Sequence, residues 1–266
     1  MPLYRPKLKT ELKKRLDSTW CDRLSLLLLD CIPSTNQLLW DKLAEGKTFP
    51  LVAIADQQTA GRGQWGRTWQ SEQGGLYLSL GLPLGIPIQQ GAHITLWSAW
   101  GMAETLRQNQ IPVGLKWPND LVLNQRKLGG IKTETKVYQD KIQQAVIGVG
   151  LNWANAVPET GINLQTFCEQ HHLDPIDPMD SLETLAAIAL QGILWGYQRY
   201  CDEGIEGILA AYLNYFVNLG QEICVENMLG IITGVSEQGE LKVRLQSPGA
   251  TTEIHLPLGS IQLGYA

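Results

Sequence analysis

Residues 56–71 read DQQTAGRGQWGRTWQS. Three glycines (Gly61, Gly63, Gly66), two arginines (Arg62, Arg67) and two tryptophans (Trp65, Trp69) share this span. Closely spaced glycines let backbone N–H groups approach an anion with no Cβ in the way. Arginine adds a permanent positive fork that matches phosphate geometry. Gly61, Gly63 and Gly66 fit the dinucleotide fingerprint G-x-G-x-x-G, and Gly61, Gly66, Arg67 and Thr68 nearly fit a phosphate-binding P-loop with arginine in the lysine's place. Both motifs need a strand before the glycines and a helix opening on them. The strand is there, in the apolar run 51–55 (LVAIA). The helix is not: Glu72, Gln73, Gly74 and Gly75 make a turn, and 76–82 (LYLSLGL) reads as a strand. No acidic residue stands near twenty positions on, where a ribose contact belongs. Residues 56–71 are therefore a glycine-rich loop between two strands, closing over a phosphate-bearing ligand.

Working outward, 24–29 (LSLLLL) reads as a buried strand. Ser34, Thr35 and Asn36 then precede a helix over 37–45, with Gly46 to close it. Short polar residues there are N-caps, and a helix start after a buried strand is also a ligand site, because its free N–H groups point the same way. A loop with Pro83 and Pro87 follows, then an amphipathic helix over 93–109 that starts at His93. Residues 114–123 (GLKWPNDLVL) read strand, turn, strand, with Lys116 beside Trp117 entering the turn. Lys127, at a strand start beside Gly129 and Gly130, is a candidate charge partner, and Gly148 and Gly150 in the strand over 142–151 mark close approach of a backbone or ligand. Two helices are expected over 181–201 and 204–217. From Gly220 the pattern changes to short alternating strands, the last over 260–262, which predicts a small β-barrel. The expected organisation is an N-terminal extension over 1–20, frayed or weakly helical, a catalytic domain over 21–218, and the barrel domain over 219–266.

Composition sets bounds. The chain has 266 residues and a formal net charge of −5, which gives no electrostatic reason for general nucleic-acid binding. No apolar run approaches the ~20 residues that span a bilayer, and no signal peptide is recognisable. The five cysteines form no C-x-x-C pair, which suits a reducing, cytoplasmic setting. Cys168, His171 and His172 superficially resemble metal ligands, but a complete zinc set is missing.

Six pieces stand in order: Ser34-Thr35-Asn36; Gln58 to Gly63 (QTAGRG); Gly66 to Trp69 (GRTW); Lys116 to Asp120 (KWPND); Lys127 to Ile131 (KLGGI); and Gly148 to Asn152 (GVGLN). Together they resemble the biotin–protein ligases, over about residues 24–266. The resemblance implies an α+β fold: a mixed sheet with flanking helices, of the type shared with class II aminoacyl-tRNA synthetases and lipoate ligases, then an SH3-like barrel. It implies that biotin is activated with ATP and Mg²⁺ to biotinyl-5′-AMP and passed to a lysine of the biotin carboxyl carrier protein of acetyl-CoA carboxylase. It implies biotin contacts from Ser34, Thr35, Asn36, Gln58, Arg62, Gly63, Gln64 and Lys127. The ATP and adenylate side would take Gly61, Arg62, Gly63, Gln64, Arg67, Trp69, Lys116, Asn119 and Asn152. Lys127 and Arg62 are the expected catalytic residues, and Asp120 the metal ligand. Gln64 departs from the family, where arginine commonly stands. Too few residues precede Leu24 for a helix-turn-helix domain, so a ligase-only form without DNA binding is expected, with a homodimer possible. The alternatives are a lipoate or octanoate enzyme on the same core, which the KWPND and GRG pieces disfavour, and a non-catalytic biotin-responsive regulator.

Overall fold

The structure is a computed structural model describing residues 3–171, 181–247, 250–261 and 263–265. Its centre is a seven-stranded mixed sheet. The strands are β1 (Ser25–Ile32), β2 (Leu51–Gln58), β3 (Gly75–Pro87), β4 (Gly114–Lys116), β5 (Asp120–Leu123), β6 (Arg126–Tyr138) and β7 (Lys141–Asn152), in the order β1-β2-β3-β7-β6-β5-β4. β1 and β2 run parallel and the other neighbours antiparallel. The apolar run of β2 is buried from Leu51 to Asp56, as a central strand covered on both faces must be.

Helices cover both faces. On one side lies α3 (Thr35–Ala44), whose Leu39 packs with Leu51, Ala53 and Val146. On the other lie α4 (Gly91–Gln108) and α6 (Leu182–Leu213), in the main core with Leu78, Leu80, Ile131 and Ile147. The two helices cross closely because Gly101, Gly192 and Gly196 meet there; a Cβ on any of them would strike backbone of the other helix. Ser181 caps α6 by accepting from Thr184 N at 3.3 Å. Gly204, at φ 69°, breaks α6 where the sequence predicts two helices. Two shorter helices are α2 (Ser18–Arg23) and α5 (Leu164–His171).

A second sheet follows, β8 (Glu222–Val225), β9 (Met228–Val235), β10 (Leu241–Ser247) and β11 (Ala250–Leu256), antiparallel throughout in the order β11-β10-β9-β8. It is fastened to the large sheet rather than tethered. Leu115 N donates to Tyr215 O at 2.7 Å and Val217 N to Leu115 O at 2.9 Å. Trp117 Nε1 donates to Gly239 O at 2.8 Å, and His93 Nε2 to Glu237 O at 2.7 Å. Burial holds His93 below its ordinary pKa, so it serves as a neutral strut between the two units.

Three expectations change. The extension expected to be frayed or weakly helical is, among its described residues, a packed helix: α1 (Arg5–Arg15) buries Leu8 and Leu12 in the main core, against α6. Its polar remainder hid this face, since two leucines four apart give little periodicity. The proline loop is strand: β3 runs on to Pro87, with its register broken between Pro83 and Ile86 where the prolines withhold donors. The expected strand over 260–262 is a turn at Ser260, whose N donates to Pro257 O; Gln262 lies outside the described residues.

Candidate active site

The C-terminal ends of β1 and β2, the start of α3, the glycine loop and the β4–β5 turn converge on one cavity of about 450 Å³. Its walls differ in charge. The floor is neutral and polar. Ser34 caps α3, accepting from Gln37 N at 3.4 Å, which leaves Thr35 and Asn36 buried at the first turn. Ser79, wholly buried on β3, donates within reach of both Thr35 Oγ1 (2.7 Å) and Asn36 Oδ1 (2.6 Å). Gln58 Oε1 accepts from Thr35 N at 2.9 Å, and its Nε2 donates to Ser71 Oγ at 2.9 Å. The side chains are wired to one another, so their remaining valences are held in place before a ligand arrives. Asn36 Nδ2 and Trp69 Nε1 are both buried on this wall with no acceptor among the described residues. A buried donor left unpaired costs about 1–3 kcal/mol, and a ligand with acceptors at these points recovers it. Gly148 and Gly150 are glycines because Asn36 and the Trp69 indole occupy the space a Cβ needs.

The rim is cationic. The loop is a small hairpin: Trp69 N donates to Gly61 O at 2.9 Å and Gly63 N to Arg67 O at 2.7 Å. It turns through Trp65 (φ 51°) and Gly66 (φ 75°), leaving Arg62 and Arg67 exposed on the cavity with no carboxylate partner among the described residues. The Trp65 indole rests on Gly259 of the second unit, 2.6 Å from where a Cβ would stand. Gln64 Nε2 donates to Ile131 O at 3.3 Å, a carbonyl that also accepts from Asn119 Nδ2 at 2.8 Å. Lys127 Nζ pairs with Asp120 Oδ1 at 2.6 Å and lies 5.3 Å from the Trp69 ring centroid. Lys116 is buried at 4% exposure, and burial lowers its ammonium to about 8, with Asp120 opposing the shift and Lys127 adding to it.

Of the residues singled out in the sequence, the cavity brings together Ser34, Thr35, Asn36, Gln58, Arg62, Gly63, Gln64, Arg67, Trp69, Lys116, Asn119, Asp120 and Lys127. Gly61 and Asn152 stand behind the wall. Gly61 makes room for Ser71 and the Trp69 carbonyl, and Asn152 Nδ2 donates to Lys127 O at 3.3 Å, holding the strand that carries the lysine. Sequence reasoning passed over Ser71, Ser79, Lys132 and Tyr265. Ser79 had a signal, a lone serine in an apolar strand opposite Gly148. Tyr265 had none, because only the tertiary fold carries it here. Away from the cavity, His171 pairs with Asn124 Nδ2 at 3.0 Å and Cys168 is buried, while His172 lies outside the described residues. No cluster of three or more His, Cys, Asp or Glu suited to a metal occurs among the described residues.

A family model described as the biotin/lipoate A/B protein ligase family matches residues 28–152. The bifunctional ligase/repressor BirA of Escherichia coli (strain K12) is 34% identical over 224 residues, covering 82% of this chain and 68% of the relative. The biotin–[acetyl-CoA-carboxylase] ligase of Mycobacterium tuberculosis is 28% identical over 220 residues, covering 78% and 79%. Among solved structures, the biotin protein ligase from Aquifex aeolicus in complex with biotin and ATP superposes with a TM-score of 0.65 at 25% identity, covering 87% of this chain and 95% of that one.

Proposed function

We infer that this chain, which belongs to the biotin/lipoate A/B protein ligase family, is a biotin–protein ligase that activates biotin with ATP and transfers it to a lysine of a carrier protein. The observation that carries the assignment of residues is the split in the cavity. A neutral floor at Ser34, Thr35, Asn36 and Gln58 faces a rim of Arg62, Arg67, Lys116 and Lys127. A ligand with a neutral ureido head and a carboxylate that becomes a phosphoric anhydride matches that gradient. Lipoate and octanoate offer no ureido group to the floor.

The ureido carbonyl and N–H groups take the free valences of Ser34, Thr35 and Asn36, while Gln58 and Ser79 hold those side chains. The acyl chain runs past Gly148 and Gly150, so that the carboxylate meets Lys127. There it attacks the α-phosphorus of ATP, and pyrophosphate leaves. Negative charge spreads over phosphate oxygens in the transition state, and preorganised cations are what lower that barrier. Lys127 bridges carboxylate and α-phosphate, Arg62 and the Gly63 and Gln64 segment close over the adenylate, and Arg67, Lys116 and Asn119 take the nucleotide side. The hairpin loop over the anhydride excludes water. In the second step the carrier lysine's amine attacks the acyl carbon, an amide forms and AMP leaves.

Mg²⁺ enters with ATP as part of that substrate. Asp120 is the only carboxylate on the cavity wall among the described residues, and it is already paired with Lys127. One carboxylate plus substrate phosphates suits a transient Mg²⁺ and not a resident ion. The carrier of acetyl-CoA carboxylase is the proposed acceptor, in keeping with the name of the mycobacterial relative. No helix among the described residues is long and apolar enough to cross a membrane; a cytoplasmic setting and the absence of specific DNA binding rest on the free cysteines and the acidic balance. A homodimer remains part of the proposal, with β1 an outermost strand of its sheet.

The test is pyrophosphate release with ATP and, in turn, biotin, lipoate or octanoate. Release with biotin alone supports the reading; release with lipoate or octanoate in its place, or with none, overturns it.

A further inference from the structure

The segment after β11 turns at residues 257–260 and enters the cavity, where Ile261, Leu263, Gly264 and Tyr265 become part of its wall. Three contacts fix it. Lys116 Nζ donates to Gly264 O at 2.5 Å. The same ammonium lies 3.3 Å from the centroid of the Tyr265 ring. Tyr265 OH donates to Asp120 Oδ2 at 2.5 Å, while Asp120 Oδ1 holds Lys127 at 2.6 Å. A chain of contacts therefore runs Tyr265–Asp120–Lys127, with Lys116 against its first ring. Behind the segment a second groove opens, lined by Lys116, Tyr215, Asn218 and the other side of the same segment. Ile261 and residues 263–265 line both spaces and form the partition between them.

We propose that Tyr265 is a positioning residue for biotin activation, setting Lys127 through Asp120 and closing the nucleotide end of the cavity; this rests on the ligase reading above. The physical need is specific. A carboxylate held at one oxygen swings about its Cβ–Cγ bond, and a lysine on four methylenes follows it. A second hydrogen bond, from a neutral donor to the ionised oxygen, stops the swing, and such charge-assisted bonds are the strong ones. A tyrosine phenol is a neutral donor throughout the neutral range, and here its hydroxyl points at the Asp120 oxygen that Lys127 leaves open. The ring and the Gly264 carbonyl give Lys116 two partners without neutralising it, which leaves donors for phosphate. The partition also shuts the anhydride off from the groove behind, where water would reach it.

The test uses the full chain and biotin-dependent ATP–pyrophosphate exchange. Tyr265→Phe keeps the ring and wall and removes only the bond to Asp120. A lost bond to a charged acceptor predicts about a tenfold fall in kcat, with the KM of biotin little changed. Placed in an Asp120→Asn background, the same substitution should cost less than about twofold, because it acts through Asp120. An unchanged kcat, or a full further loss in the Asp120→Asn background, overturns the proposal. A lower KM for ATP with kcat kept also overturns it, since the segment then obstructs the nucleotide instead of serving it. Wild-type protein with no biotin-dependent exchange sinks the ligase reading instead.

Discussion

Gly148 and Asn36 stand so close that a methyl group on Gly148 would overlap Asn36 Oδ1. Asn36 has nowhere to go, because the same oxygen accepts from buried Ser79 at 2.6 Å. Gly148→Ala is therefore expected to push the amide off the cavity floor while β7 keeps its register. Losing hydrogen bonds to biotin's head predicts a rise of about tenfold or more in its dissociation constant, with ATP binding unchanged. Calorimetric titration of biotin checks it. Equal affinity in the two proteins would mean that Asn36 does not meet the ureido group.

Lys127→Ala should cripple activation and spare the fold. Lys127 is part-exposed at the rim, so its removal opens no core cavity, and it leaves Asp120 with the Tyr265 bond alone. Loss of a charge-assisted contact of ~1.5–3 kcal/mol predicts at least a roughly tenfold loss of adenylation rate. Near-normal biotin-dependent pyrophosphate release in the variant would rule the role out, and a melting curve like the wild type's guards against misfolding.

Much of this cavity was legible in the sequence, and for a physical reason. Glycines at close approaches and short polar residues at a helix start are local demands, written where they act: Gly148, Gly150, Ser34 and Asn36 all answer to them. The strand–loop–strand reading of residues 51–82 also rests on local turn chemistry, and the glycine loop does lie between β2 and β3. What escaped was tertiary. Leu8 and Leu12 looked like incidental apolar residues in a basic stretch until α6 buried them. Tyr265 meets Asp120 across 145 positions of chain, and nothing near Tyr265 announces it. At Ser260 and Ile261 the expected strand failed for the same cause, since alternation of polarity cannot tell a strand from a segment laid against a cavity.

Activity should depend on pH through Lys116. Burial lowers its pKa from 10.5 to about 8. Between those values the unfolded chain holds a proton that the folded one has shed, so this group makes stability rise with pH across that window. Nucleotide binding moves the other way. The charge is present below about pH 8 and is lost as pH rises through it, while Tyr265, with its raised pKa, stays neutral there. The KM for ATP in the exchange reaction is expected to climb several-fold between about pH 7 and 9, with the KM for biotin flat. Lys116→Arg keeps its charge at every pH in that range and should flatten the climb. A wild-type KM for ATP that does not change over this range would show that Lys116 carries no nucleotide charge.

At Gln64 the resemblance to the biotin–protein ligases leads one to expect arginine. Its amide shares the Ile131 carbonyl with Asn119, and Asn119 holds the shorter bond, 2.8 Å against 3.3 Å. Gln64 is thus replaceable at that carbonyl. Beside it Trp65, at φ 51° and seated on Gly259, fixes the tip of the loop by packing. The neutral amide contributes about 0.5–1.5 kcal/mol to a phosphate it meets, against about 1.5–3 kcal/mol for a guanidinium, a gap of about 1 kcal/mol. Gln64→Arg is therefore expected to slow release of biotinyl-5′-AMP several-fold, since differences of this size fall mainly on dissociation. Stopped-flow measurement of intermediate release decides the matter. A rate equal to or faster than the wild type's would mean that position 64 does not touch phosphate and that Trp65 alone keeps the loop shut.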